Sequence, residues 1–93
     1  MENVIKSLEE QGICLYPNQK DGKVYLNIQS ISDNLIFEIL DISGHCIMSQ
    51  KIKKKNMIID LNTFENGIYK IRILDNNEVR MVKRIVKLNG YRN

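Results

Sequence analysis

Asn66-Gly67-Ile68-Tyr69-Lys70-Ile71-Arg72-Ile73 reads as a turn followed by an uninterrupted two-residue alternation of apolar and charged side chains. A helix would place its apolar residues three and four apart. A period of two instead puts Tyr69, Ile71 and Ile73 on the inward face of a strand and Lys70, Arg72 and Leu74 on the other. Asn-Gly is itself a turn signal, because glycine takes a positive φ without steric cost, so Gly67 is expected in that conformation. Asp75-Asn76-Asn77 then ends the strand and returns the chain into a last one, Glu78 to Lys87. There Val79-Met81 and Val82-Ile85-Val86 favour different parities, so its facing stays open.

The same period runs back toward the start. Ile13 and Leu15 alternate with Cys14 and lead to Tyr16-Pro17, where the missing proline donor should end the strand. Asp21-Gly22 turns the chain into Val24, Leu26 and Ile28, with Lys23, Tyr25 and Asn27 opposite. Phe37 and Ile39 oppose Glu38, while Ile36 and Leu40 on the Glu38 side imply partial cover there. Ser43-Gly44 reads as a turn, Ile47 to Ile52 as a strand, and Met57, Ile59 and Leu61 as a further alternation. Short, evenly spaced strands with turn signals between them predict an all-β, Ig-like antiparallel β-sandwich of about seven strands. The expected core is Ile13, Leu15, Val24, Leu26, Phe37, Ile39, Ile59, Leu61, Tyr69, Ile71 and Ile73.

With 93 residues the chain has room for one core. Its expected division is a linker or short helix over residues 1–12, the sandwich over 13–87 and a tail over 88–93. A net charge of +3 is no nucleic-acid footprint, and the longest apolar runs are too short to span a bilayer. Residues 1–12 lack the basic end and apolar run of a secretory signal, and Glu2, Glu9 and Glu10 argue against one. That reading makes the sequence the tail of a longer precursor or a short independent reading frame.

Enzymatic motifs do not compete with this picture. His45 is the sole histidine and stands beside no nucleophile elbow, and no glycine loop is spaced to cradle phosphate. Cys46 adjoins His45, but two neighbouring ligands do not make a metal site. Cys14 and Cys46 allow one disulfide, and their oxidation state is left open, although Cys14 should point away from the core. The lysines at 51 and 53–55 read as a solvated run that also guards a strand edge. With no tryptophan and few tyrosines, the chain offers little aromatic platform for sugar. The expectation is therefore a non-enzyme without cofactor or metal.

Taken together, Tyr16-Pro17-Asn18, Asp41-Ile42-Ser43-Gly44, Gly67-Ile68-Tyr69 and Lys83-Arg84-Ile85-Val86-Lys87 resemble, in content and order, the type A C-terminal sorting domain of the type IX secretion system of Bacteroidota. The resemblance runs from about Ile13 to Lys87. It implies a non-catalytic domain that directs a covalently fused passenger through the periplasm and the outer-membrane translocon, for release or attachment at the cell surface, with a sortase removing the domain. It also implies partner recognition by Pro17, Asn18, Asp41, Gly44, Gly67, Tyr69, Lys83 and Arg84, while Gln19 stands where the family usually has a second proline. The alternative is an Ig-like accessory or adhesive domain that binds a carbohydrate or protein at the cell surface.

Overall fold

A computed structural model describes residues 12–88; the linker or helix expected over residues 1–11 and the tail beyond Leu88 lie outside the described residues. Seven strands follow one another: β1 (Ile13–Asn18), β2 (Lys23–Ile28), β3 (Leu35–Leu40), β4 (Cys46–Lys51), β5 (Asn56–Asp60), β6 (Gly67–Asp75) and β7 (Glu78–Lys87). They form a three-stranded sheet in the order β1-β2-β5 and a four-stranded sheet in the order β4-β3-β6-β7. All pairings are antiparallel, as the alternation predicts. The expected Ig-like sandwich of seven strands is the observed architecture.

All eleven residues expected in the core are buried. Ile28, Leu35, Ile52, Met81 and Ile85 join them, so the apolar layer runs unbroken between the sheets. Leu74 faces outward as read, yet it is buried where Ile36 and Val79 flank it in register. The open question of β7 is resolved by a bulge. Ile73 pairs with Met81 but Leu74 pairs with Val79, so Arg80 is the extra residue and the parity changes there. Met81, Ile85 and Lys87 then face the core, leaving Val79, Val82 and Val86 exposed.

Two sequence expectations need correction. Gly67 is not a positive-φ residue. It is the first residue of β6, paired with Lys87, so the strand begins at the glycine and leaves it no turn to make. Pro17 does not end β1, which continues to Asn18. The Gln29 N–Gly12 O bond fixes the alternation, so Cys14 and Tyr16 exchange hydrogen bonds with β2 while Pro17 points its nitrogen away from the sheet. On an edge strand with that orientation proline costs no ladder bond. The tight turn instead lies at Asn76 and Asn77, with φ of 56° and 69°, the left-handed pair that a two-residue hairpin requires.

Candidate functional site

The strand directions gather the sequence motifs at one end of the sandwich. β1 finishes there at Asn18, and β3 finishes at Leu40, whose register partner is Lys70. β6 begins there at Gly67, and β7 ends there with Lys87 opposite Gly67 and Ile85 opposite Tyr69. Pro17, Asn18, Asp41, Gly44, Gly67 and Tyr69 thus come to one end, with Arg84 a short step along β7 opposite Lys70.

The front turn is bound on two sides. Asn18 accepts from Lys20 N through its side chain, 3.0 Å, and from Gly22 N through its carbonyl, 3.0 Å. Gly22 has φ +69°, and a Cβ there would come within 2.2 Å of Asn62 Oδ1. Only glycine suits both the conformation and the close approach. Asn62 donates to the Asp21 carbonyl at 2.9 Å, tying β5 to this turn. Tyr25 donates its hydroxyl to the Asp21 carboxylate, and that bond raises the pKa of the phenol. Across the gap between sheets, Gln19 Nε2 donates to the Val86 carbonyl at 3.3 Å. The residue standing in place of the family's second proline is therefore a clasp between the front turn and the last strand.

Beneath that clasp Lys87 is only 6% exposed. The Asp60 carboxyl is held below its usual pKa, first by the backbone N–H of Asn62 and then by the Asn62 side chain and the charges of Lys23 and Lys87. A lysine that far from water needs such a counter-charge. Sequence reading left the facing of β7 open and missed this role; the signal available was the odd-numbered match of Lys87 to Met81 and Ile85.

The middle turn is built around one carboxylate. Asp41 Oδ1 accepts from Ser43 N at 3.0 Å and His45 N at 2.9 Å, and His45 Nδ1 lies 3.5 Å from Oδ2. These bonds, led by the His45 amide, lower the Asp41 pKa. Gly44 closes the turn with φ +91° and its N–H on the Asp41 carbonyl at 2.9 Å. Tyr69 is buried, donates to the Glu65 carbonyl at 2.6 Å and packs against Phe64 with ring centroids 5.5 Å apart. A tyrosine near the start of this strand, bonded to backbone just upstream, is a device that pins the sheet-to-sheet crossing in Ig-like sandwiches.

Lys83 and Arg84 are adjacent but face apart. Lys83 is half-buried on the Met81 and Ile85 side, whereas Arg84 is exposed on the outer face beside Lys70. Glu38 takes Arg72 in a two-bond ion pair at 3.0 and 2.5 Å. Among the described residues neither Lys70 nor Arg84 has a carboxylate within ion-pairing distance.

No curated protein matches this chain. The family model described as the secretion system C-terminal sorting domain matches residues 14–88, which is nearly the whole described sandwich. The turns and terminal strand described above are thus those of a module that marks a passenger for export, and the chain belongs to the family of type IX secretion C-terminal sorting domains.

Proposed function

We propose that this domain acts as a non-catalytic handle by which the type IX outer-membrane translocon takes hold of a fused passenger in the periplasm, after which a sortase removes it. The recognised surface is the end of the sandwich formed by Pro17, Asn18, Asp41 and Gly44, together with Lys83 and Arg84 of β7. Gly67 opens β6 at that end, and Tyr69 holds the end in shape through its bond to the Glu65 carbonyl. The observation that carries the reading is convergence: motifs as distant in sequence as Asn18 and Lys87 meet at one end, joined by the Gln19–Val86 bond.

The charge pattern supports it. Lys70 and Arg84 stand directly opposite each other on an exposed face. Like charges in that position oppose sheet stability, and an anionic patch on a partner would relieve them.

The test is to place the 93-residue chain behind a signal peptide and a fluorescent passenger in a host with a working type IX system. The passenger should reach the surface or medium, and should remain periplasmic in a translocon-deficient host. Arg84→Glu, on the exposed outer face, should reduce export severalfold while the purified domain keeps its melting temperature. Equal localisation in both hosts overturns the reading.

A further inference from the structure

The two sheets are unequal, and the shortfall lies on one flank. The three-stranded sheet ends at β5 on the side where the four-stranded sheet continues to β4. Met48 and Gln50 pair with Ile39 and Phe37 and so share the core face, yet Gln50 is exposed and Met48 only half-buried. Every other residue of β4 is exposed as well, in contrast to the alternating burial of β3. An open groove of about 940 Å³ reaches this flank, lined by Gln50 and Lys51 of β4 and by Asn56, Met57 and Ile58 of β5, and it extends over the outer face of the three-stranded sheet to Tyr25 and Tyr16.

The free side of β5 has backbone groups to offer. Leu61 N bonds Gly22 O and Ile28 N bonds Lys55 O, so the pairs that exchange hydrogen bonds are Val24 with Ile59 and Leu26 with Met57. Asn56 and Ile58 therefore aim their N–H and C=O groups away from β2, toward the missing strand. The rim is cationic: Lys51, Lys53 and Lys54 line the groove. None of them has a carboxylate within ion-pairing distance among the described residues.

We infer that this flank is a docking site for an acidic, extended peptide segment of a partner protein, which adds to β5 as a fourth strand and lies over β4. Strand addition supplies backbone bonds at Asn56 and Ile58, the partner's inward apolar side chains cover Met57 and Met48, and its carboxylates meet the lysine rim. The same lysines, all just ahead of β5, disfavour parallel pairing with a second copy of this chain, which would bring the two clusters together, and the dimerisation readout below tests antiparallel pairing. The site lies on the flank opposite β7 and does not depend on the sorting reading: peptide binding by the purified chain and export by a fusion succeed or fail separately.

The test is a fluorescence-anisotropy titration of the full chain into a fluorescein-labelled decapeptide alternating glutamate and valine. Saturable binding is expected, absent for a lysine–valine peptide. It should also be lost when alternate amides of the acidic peptide are N-methylated, which keeps the charge and removes the strand donors. Lys53→Glu with Lys54→Glu should weaken binding by about tenfold or more. Ile58→Pro removes an outward N–H at an edge position where proline is tolerated, and should weaken it about fivefold or more. A melting curve for each variant separates lost binding from lost fold, and the N-methylated peptide asks the same question with the protein unaltered. Equal binding of the N-methylated or lysine peptide overturns the inference. So does capture by anionic phospholipid vesicles without peptide binding, or concentration-dependent dimerisation without it.

Discussion

The two flanks of this sandwich are built from similar strands and finished in opposite ways. On one, β1 lies against β7, with Ile85 and Lys87 buried beneath and the Gln19 amide joined to the Val86 carbonyl. On the other, β4 and β5 leave a groove, exposed ladder groups and a row of lysines without ion-pair partners among the described residues. Closure is thus invested where the motifs of the sorting family meet. A recognition end held rigid by packing would serve the function proposed above, and the open flank can be altered with little cost to the fold.

The sharpest way to break the comparison is to remove matched apolar side chains from each flank. Ile85 is 3% exposed on β7 and Ile58 is 58% exposed on β5. Ile85→Ala should cost about 2–5 kcal/mol through lost transfer energy and a residual cavity. Ile58→Ala should fall within about 0.5 kcal/mol of zero. Urea melts of both variants measure the difference, and equal shifts would mean that the flanks are not energetically distinct.

A smaller contrast separates two glycines of the motif-bearing end. Gly22→Ala meets a positive φ and the Asn62 side chain at once, and should cost about 1–3 kcal/mol. Gly67→Ala puts its Cβ no nearer than 3.9 Å to Tyr69 at a negative φ. It should change stability by less than about 0.5 kcal/mol, with a slight gain possible from the less entropic unfolded chain. Thermal melts decide it, and a large loss for Gly67→Ala would restore the special backbone role that the Asn66-Gly67 pair suggested.

These glycines show where sequence reading reached and where it stopped. Period-two alternation identified five of the strands and all eleven inward residues named from it, because the side-chain period of a strand is a local property written into neighbouring residues; β4 and β7 were placed by the turn signals around them. The Asn76-Asn77 turn was legible for the same reason. What escaped was set by contacts far apart in sequence. The bulge at Arg80 is fixed by which β6 residue sits opposite, Pro17 is tolerated because β1 is an edge, and Lys87 is buried because β7 ends beneath a turn from the other sheet. The site residues were named from a family pattern; their convergence at one end is topology, which no local spacing contains.

Acid should act unequally on the motif-bearing end and on the groove. Asp60 and Asp41 have folded pKa values below their ordinary ones. Such groups add stability that is fully present above the unfolded carboxylate pKa, about 4, and is lost as pH falls through the lowered folded values. Protonating Asp60 also removes the charge facing Lys87. Carboxyl-detected NMR titration should place both midpoints below the ordinary aspartate value, with amides of β7 near Lys87 shifting in step with Asp60. The groove lining of β4 and β5 holds no carboxylate, so its amides should stay silent over that range.

The smallest expected effect tests the clasp itself. The Gln19–Val86 bond is long and exposed, so Gln19→Ala should cost no more than about 0.5–1 kcal/mol of global stability. Its local consequence should be larger than its global one, because the bond satisfies an outward carbonyl on an edge strand and joins the two sheets. Amide exchange at the end of β7 should quicken in Gln19→Ala while exchange in β3 stays at the wild-type rate. Gln19→Pro, which installs the proline that the sequence resemblance leads one to expect, removes the same side-chain bond but stiffens the front turn. If rigidity of that turn is what closes the flank, the proline variant should exchange as slowly as wild type at β7. If the inter-sheet bond is what matters, it should behave like the alanine variant, and the two substitutions together assign the closure to one cause or the other.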